Sequence, residues 1–408
     1  MSEGWPEKPL SELATITMGQ SPESSCINAS ERGLPFLQGC AEFGARVPSA
    51  TSHCSPPLRV AKSGSVLISV RAPVGTTNLA DQDYCIGRGL GAVSARQDLA
   101  DNVFLLHAIE QNVGFLHRRS QGSTFLAVGA KELSALPVPA ISLRIQRRIA
   151  EILSTVDETI EQTEALIAKY QQIKAGLMHD LFTRGLTPDG RLRPTRAQAP
   201  HLYKDSPLGW IPKEWECLSI GELFTRRVER GKAGLPVMAI TMYGGLVERD
   251  SVDRRIESKL SPEGHLLVRR GDIAYNMMRM WQGVLGRAQY DCLVSPAYIV
   301  LTPSPSVDSA FAEYLLSNNA AVAMFKRRSY GVVDDRLRLY FRDLIRIQLA
   351  VPRKINEQIA ISERLMRMDE TIKRMVASVE KLRQLKHGLM HDLLTGRVRV
   401  RVADSAGG

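Results

Sequence analysis

Two long stretches of the chain place an apolar residue at every third or fourth position. The first spans residues 143–181, with one glycine and no proline, and its stripe falls at positions 145, 149, 152, 156, 160, 163 (a threonine), 167, 170, 173, 177 and 181. The second falls at positions 361, 365, 368, 372, 375, 379, 382, 385, 389 and 393. This spacing lines one face of an α-helix, as in coiled coils. It predicts long helices over residues 141–183 and 353–396, which pair most simply in an antiparallel arrangement.

The two predicted helices are copies of one another. The sequence GLMHDL at residues 176–181 recurs letter for letter at residues 388–393, an offset of 212 in a chain of 408 residues. At the same offset, residues 157–160 recur as 369–372, and Gln146 recurs as Gln358. A period of half the chain is too long for a solenoid repeat, so each copy must contain a domain. The sequence therefore predicts an internal repeat with pseudo-two-fold symmetry.

The remaining sequence predicts two α+β domains. Residues 1–140 are rich in Gly and Pro, with a β-type run at residues 65–70 and a helical stretch near 102–117. A basic linker over 184–204 precedes a second domain at 205–352, where a Gly-Trp pair at 209–210 echoes the one at 4–5. A tail follows at 397–408. The predicted fold class is α+β, with two globular domains joined by two long antiparallel coiled-coil helices.

The net charge of +10 favours a polyanionic partner. Residues 1–140, however, carry eleven Lys and Arg against twelve Asp and Glu. If the first domain binds nucleic acid, it must do so through local clusters of cations and not through an overall positive field. The sequence has no apolar run of membrane-spanning length and no signal-peptide pattern at its start. We therefore expect a cytoplasmic protein with no membrane partner.

Recognisable catalytic and metal-binding motifs are missing from the sequence. It has no P-loop, no G-x-S-x-G, no H-E-x-x-H and no [DN]-P-P-[FYW] tetrapeptide of amino-methyltransferases. Its six cysteines include no C-x-x-C pair, which argues against a zinc module. The glycine-rich segment 87–91 is interpreted as a turn between strands, and the His-Asp pairs at 179–180 and 391–392 as structural. We expect neither a catalytic residue nor a metal site on this chain.

Arginine clusters are the strongest nucleic-acid features. Each domain has a cluster at a predicted helix end, before Ser-x-Gly, where cations and exposed amides can bind phosphates. The alternative is a solvated helix end whose cations complement the helix dipole; the repetition of the cluster favours the functional interpretation. The predicted phosphate contacts are Arg118, Arg119, Lys326, Arg327 and Arg328.

Base readout in the major groove uses Arg, Asn and Gln side chains on rigid loops, because these bond bidentately to guanine or adenine. The first domain offers Arg71, Asn78, Arg88 and Gln121, and the second offers Tyr243, Asn276, Arg279, Gln282, Tyr330 and Arg336. Arg88 and Arg279 could equally be structural salt-bridge partners. These residues are candidates for base contacts.

With these features in place, the chain resembles the specificity subunit of type I restriction–modification enzymes. The resemblance rests on the Val-Pro…Gln…Ile-Ala openings of both helices, the closings GLMHDLFTRGL and GLMHDLLTGRV, and the segments VRAPVG at 70–75 and IGRGL at 86–90. It covers essentially the whole chain. It implies two target-recognition domains, at 1–140 and 205–352, that each read half of a split, asymmetric DNA sequence without catalysing a reaction.

The resemblance also implies the partners. Two N6-adenine methyltransferase subunits dock on the long helices, two ATP-dependent restriction subunits join the assembly, and S-adenosylmethionine, ATP and Mg bind to those subunits and not to this chain. The helix residues expected to serve partner binding are Ile149, Val156, Ile160, Leu177, Leu181, Leu365, Ile372, Leu389 and Leu393. A solitary or modification-only coiled-coil DNA-binding protein without a restriction partner is the alternative. A fused methyltransferase is disfavoured by the missing motifs.

Overall fold

The computed structural model describes residues 4–119, 127–242, 244–251, 260–331 and 337–401. The chain divides into two compact units. Unit 1 comprises Met1–Leu166 and Met375–Gly408, and unit 2 comprises Ile167–Arg374. Each unit thus contains one α+β domain together with half of each long helix.

Unit 1 combines a four-stranded and a five-stranded sheet with short helices. Strand β10 lies between β2 and β7 in the order β2-β10-β7-β8, and the second sheet has the order β3-β5-β4-β9-β6. The strands are β1 (Glu7–Pro9), β2 (Ala14–Met18), β3 (Ile27–Asn28), β4 (Leu34–Leu37), β5 (Ser52–Cys54), β6 (Val60–Ala61), β7 (Val66–Ser69), β8 (Thr77–Leu79), β9 (Tyr84–Ile86), β10 (Leu90–Ala95) and β11 (Pro137–Pro139). The helices are α1 (Leu10–Leu13), α2 (Asn102–Gln111), α3 (Val113–Arg119), α4 (Ala130–Ser134) and the long α5 (Leu143–Thr183), with 3-10 turns at Ser24–Cys26 and Cys40–Glu42.

Unit 2 repeats the four-stranded sheet in the order β15-β22-β19-β20. Its strands are β12 (Tyr203–Lys204), β13 (Ile211–Pro212), β14 (Trp215–Ser219), β15 (Phe224–Arg227), β16 (Met238–Thr241), β17 (Gly245–Glu248), β18 (Leu266–Val268), β19 (Ile273–Asn276), β20 (Leu285–Arg287), β21 (Cys292–Val294), β22 (Tyr298–Pro303) and β23 (Gln348–Pro352). Its helices are α6 (Ile220–Leu223), α7 (Ser309–Ser317), α8 (Asn319–Arg327), α9 (Phe341–Leu344) and the long α10 (Ile355–Thr395), with 3-10 turns at Pro200–Leu202, Arg249–Ser251, Pro262–Gly264 and Met280–Gln282.

The order of elements confirms the α+β class and the internal repeat. In each unit a short antiparallel strand pair, β1-β11 or β14-β23, has its first strand before the four-stranded sheet in sequence and its second strand after it. A helix that leads into a basic helix follows each sheet, namely α2 into α3 and α7 into α8. Outside this shared frame the units differ, since unit 1 adds its five-stranded sheet where unit 2 has the strand pairs β16-β17 and β18-β21.

The long helices α5 and α10 are 41 residues each and run antiparallel within each unit. In unit 1, Lys386 of α10 forms a salt bridge of 2.7 Å with Asp157 of α5. In unit 2, Lys174 of α5 forms the equivalent bridge of 2.5 Å with Asp369 of α10. Because Asp157 and Asp369, and likewise Lys174 and Lys386, are 212 residues apart, the two bridges are copies of one contact.

In each half of a long helix, the apolar stripe faces the core of the unit to which that half belongs. Ile149 and Leu393 are buried in the core of unit 1, and Leu181 and Leu365 in the core of unit 2. Leu177 and Leu389 pack against these cores, while Val156, Ile160 and Ile372 are partly buried. The four buried side chains have no surface to offer another subunit, which corrects their assignment as partner contacts.

Two features of the sequence take a different structural form from the one expected. The segment 184–204 is not a free linker, because Arg193 is only 4% exposed and bonds Glu357 of α10 at 2.5 and 3.0 Å. The Trp echo also shifts. Trp5 and Trp215, each five residues before α1 or α6, occupy equivalent positions, and both lie against a glycine with positive φ after a long helix, Gly396 and Gly185 respectively. Trp210 is therefore not the residue of unit 2 that is equivalent to Trp5.

Candidate nucleic-acid interface

The arginine pair of unit 1 lies at the end of a helix that is fixed to a neighbouring loop. Arg118 and Arg119 are exposed in the last turn of α3, and the Arg119 guanidinium lies 4.0 Å from the centre of the Phe115 ring. His117 donates a hydrogen bond of 2.8 Å to the Val74 carbonyl. At Gly75, with φ of +91°, a Cβ atom would meet Val113 of α3 at 2.0 Å. Only glycine allows this approach, so the loop and the helix end form one surface.

The same loop brings Arg71 close to Arg88. The Val70 amide donates a hydrogen bond of 2.9 Å to the Gly89 carbonyl, and the Val70 carbonyl accepts one of 2.9 Å from Val128. Arg71 follows Val70, and Arg88 precedes Gly89. Both arginine side chains are exposed. Two segments with an exposed arginine, at Arg71 and Arg88, are thus joined by a backbone bond just after the end of β7.

Unit 2 forms the equivalent surface with different side chains. Lys326, Arg327 and Arg328 are exposed at the end of α8, and the Lys326 ammonium lies 5.8 Å from the centre of the Trp281 ring. The Trp281 indole donates a bond of 3.0 Å to the Met278 carbonyl. Arg279 donates to the Gln282 side-chain oxygen at 3.0 Å. Two hydrogen bonds within the loop after β19 thus hold Trp281 against Met278 and Arg279 against Gln282.

The segment after α8 closes this surface. Tyr330, 55% exposed, exchanges backbone hydrogen bonds of 3.0 and 2.7 Å with Arg338, and the Leu339 amide donates one of 3.0 Å to the Met277 carbonyl. Met278, Arg338 and Tyr340 are exposed here as well, and the sequence reading missed them. The alternation of exposed Arg338 and Tyr340 around the buried Leu339 was the available signal for the last two.

The structure corrects part of the predicted base-reading set. Asn78 is only 3% exposed and donates to the Gly44 carbonyl at 2.9 Å, and a buried amide cannot reach a base edge. The Asn276 side chain is partly buried and accepts a bond of 3.0 Å from the Met278 amide, so it shapes the loop. Gln121, Tyr243 and Arg336 lie outside the described residues. For the other candidates and the phosphate contacts, a DNA-binding role stays a prediction.

A buried glutamine on a long helix fixes the start of α2 in unit 1 and of α7 in unit 2. Gln146 donates to the carbonyls of Leu99 and Ile141 at 2.9 and 2.8 Å, and accepts a bond of 3.0 Å from Asp101, the N-cap of α2. Gln358 makes the same bonds in unit 2, to Ser306 and Pro352 at 3.0 and 2.9 Å and from Asp308, the N-cap of α7, at 2.9 Å. Each arginine-bearing helix, α3 or α8, thus follows a helix that is held by the same set of hydrogen bonds.

The salt bridges between the long helices also contact α2 and α7. Glu110 of α2 lies 3.4 Å from the Lys386 ammonium and accepts a bond of 2.8 Å from Thr77. Burial favours a higher pKa for Glu110, but His107 at 3.6 Å, Lys386 and Thr77 outweigh it and lower the pKa to about 2. In unit 2, Tyr314 of α7 donates a bond of 2.6 Å to Asp369. Burial and this bond raise the pKa of Tyr314, so it stays a neutral donor.

Burial sets the protonation state of two cysteine thiols among the described residues. Burial, together with Cys85, raises the pKa of the Cys54 thiol to about 11, and burial raises that of Cys292 to about 11, so both are protonated near neutral pH. Among the described residues, no three His, Cys, Asp or Glu side chains are grouped to hold a metal ion. Within the same residues, no helix combines the length and apolar character needed to span a membrane.

Comparisons with known proteins agree with this layout. Residues 2–172 match the family described as the type I restriction modification DNA specificity domain. A Methanocaldococcus jannaschii protein assigned as the MjaX specificity subunit of a type I restriction enzyme is 36% identical over 168 residues, which cover 41% of this chain. The chain spans only 40% of that relative's length. The type I restriction enzyme MjaVIII specificity subunit of the same organism is 24% identical over 324 residues, covering 75% of this chain and 72% of the relative.

Solved structures extend the likeness to the whole chain. The S subunit of a type I restriction–modification system from M. genitalium superposes with a TM-score of 0.60 at 16% identity, covering 96% of both chains. A chain from a study of assembly and conformational transition of the type I R-M system gives 0.56 at 16% identity, over 98% of this chain and 99% of that one. The fold thus defines a class of duplicated α+β proteins with two long helices. Within it, residues 2–172 of this chain are similar to the type I restriction modification DNA specificity domain.

Proposed function

We propose that this chain reads a split, asymmetric DNA sequence, with each unit contacting one half-site. The repetition of one surface carries the proposal: in both units an arginine-bearing helix end lies against an exposed loop that follows a central strand. Guanidinium groups at a helix end suit phosphates, and the adjoining loop suits base edges. Because Arg71 of unit 1 is replaced by Met278 at the same strand register in unit 2, the two half-sites should differ.

We further propose that the chain catalyses no reaction and directs other subunits to the site it reads. The missing methyltransferase and P-loop motifs support this, as does the match of residues 2–172 to the type I restriction modification DNA specificity domain. The proposed partners are two methyltransferase subunits acting on adenine N6 and two restriction subunits. These partners would bind S-adenosylmethionine, ATP and Mg, so the role of this chain is binding and positioning.

Reconstitution with the methyltransferase subunit tests the proposal. Plasmid DNA incubated with both proteins and S-adenosylmethionine should acquire N6-methyladenine at one split sequence with two different halves, as read by long-read sequencing. This chain alone and the methyltransferase alone should give none, because one lacks the catalytic motifs and the other lacks the reading surfaces. Methylation without this chain, or methylation independent of sequence in its presence, would contradict the proposal.

A charge control separates reading from general attraction. Arg374 of α10 is exposed and pairs with Glu370 on its own helix, so Arg374→Ala removes a positive charge that belongs to neither arginine-bearing helix end. This variant should leave the methylated sequence and the affinity unchanged. Arg71→Ala and Arg279→Ala should each weaken or relax one half-site only. Equal losses for all three variants would indicate attraction by charge alone.

A further inference from the structure

One backbone position carries opposite chemistry in the two units. Strand β7 ends at Ser69 and strand β19 at Asn276, and the carbonyl of the next residue, Val70 or Met277, accepts an amide bond from the segment after the basic helix, at 2.9 and 3.0 Å. The residue after that is Arg71 in unit 1 and Met278 in unit 2, and both are exposed. The strand register therefore aligns an exposed arginine of unit 1 with an exposed methionine of unit 2.

The exposure of Met278 does not come from loose packing. Its amide donates to the Asn276 side chain at 3.0 Å, and its carbonyl accepts from the Trp281 indole at 3.0 Å, so its backbone is held on both sides. The side chain is nevertheless 43% exposed and contributes little to the core. Arg279 and Gln282, bonded to each other, flank it with polar groups. A fixed apolar group within a polar and cationic surface suits an apolar feature of a polar ligand.

The major groove of DNA offers one such feature. Guanine, cytosine and adenine present only hydrogen-bonding groups at their major-groove edges, whereas thymine adds a 5-methyl group. We propose that Met278 is a specificity-determining residue of unit 2 that contacts the 5-methyl group of a thymine in its half-site, at the position where unit 1 presents Arg71. This inference rests on the proposed function and names the chemistry read at that surface.

Replacement of thymine by uracil tests the contact, because it removes the methyl group and leaves base pairing and the O4 acceptor intact. The full chain with its methyltransferase subunits is titrated with duplexes carrying its methylated site, in which each thymine of both half-sites is replaced singly by uracil. At one thymine the wild-type complex should bind about fourfold more weakly, the factor expected for one buried methyl group. The Met278→Ala complex should bind the unmodified duplex more weakly than the wild type does. It should bind the unmodified duplex and the uracil duplex with equal affinity.

Two matched variants sharpen the test. Met278→Leu keeps an apolar side chain and should keep the response to uracil at that thymine, whereas Arg71→Ala should weaken binding yet leave the response unchanged. Met278 is exposed, so its replacement should not disturb folding, and the slope of affinity against salt should stay the same because no charge changes. An undiminished response to uracil in Met278→Ala, or no thymine that responds in the wild type, overturns the inference alone. A wild-type complex without sequence preference overturns the proposed function as well.

Discussion

The buried glutamines offer a prediction whose size follows from the contacts. Gln358 is 2% exposed, and its side chain makes three hydrogen bonds to backbone groups around α7. Gln358→Ala removes all three and leaves the Asp308 amide and two carbonyls without that partner. At about 1 kcal/mol for each bond, with a further contribution from lost packing, we expect unit 2 to lose roughly 3–5 kcal/mol of unfolding free energy.

The repeat supplies a second measurement of the same quantity. Gln146 is fully buried and makes the equivalent three bonds in unit 1, so Gln146→Ala should cost unit 1 about as much. Gln384→Ala is the control, since this glutamine is exposed on α10. Gln146→Glu and Gln358→Glu keep the side-chain volume but turn a donor into an acceptor facing carbonyl oxygens. Each should be destabilising too, which separates the bonds from packing.

Hydrogen exchange read by mass spectrometry assigns the loss to a unit. Peptides covering α7 should exchange faster in Gln358→Ala, and peptides covering α2 faster in Gln146→Ala, with urea unfolding giving the free energies. The reasoning is refuted if either alanine variant costs no more than Gln384→Ala. It is also refuted if the glutamate variants are as stable as the wild type, because the hydrogen bonds would then contribute little.

Three further outcomes are expected. Replacing Arg327 and Arg328 together by alanine should weaken binding to all DNA sequences and lower the slope of log affinity against log salt by about 2, measured by titration at several salt concentrations; an altered sequence preference with the same slope would place them at base edges. The lowered pKa of Glu110 should give unit 1 stability that is present above about pH 5 and is lost as the pH falls towards 2, and urea unfolding of Glu110→Gln at several pH values should lack that loss. Lys386→Glu should destabilise unit 1 by roughly 2 kcal/mol, and adding Asp157→Lys should recover part of this in a double-mutant cycle; additive losses would show that the bridge contributes nothing.

Features that depend on local sequence were the most predictable. The expected helix ranges were 141–183 and 353–396, and the observed helices are Leu143–Thr183 and Ile355–Thr395. An apolar stripe repeated over about ten turns is a local signal that a single sequence contains. The arginine pairs were likewise expected at helix ends, where α3 and α8 terminate. The repeat itself was detectable because two blocks of the helix sequences, 157–160 with 369–372 and 176–181 with 388–393, are identical.

Features that depend on long-range contacts were not predictable. Asn78 looked like a surface reader in sequence, but its burial follows from pairing of β8 with β7 and a bond to Gly44, 34 residues away. The charge of Arg193 suggested a linker, whereas Glu357, 164 residues further on, makes its burial tolerable. Met278 became a candidate only when the strand register showed that it occupies the position in unit 2 that Arg71 occupies in unit 1. Single-sequence patterns carry none of these pairings.

The two bridges between the long helices have a consequence for the origin of the chain. Helix α5 carries both Asp157 and Lys174, and α10 carries both Asp369 and Lys386, so each helix holds both halves of the contact. A single helix of this kind is complementary to a second copy of itself in antiparallel orientation. A half-length ancestor could therefore associate as a homodimer through two bridges related by a two-fold axis. Gene duplication and fusion would turn that dimer into one chain, and each half could then acquire its own target sequence while the charges that join the helices stayed fixed.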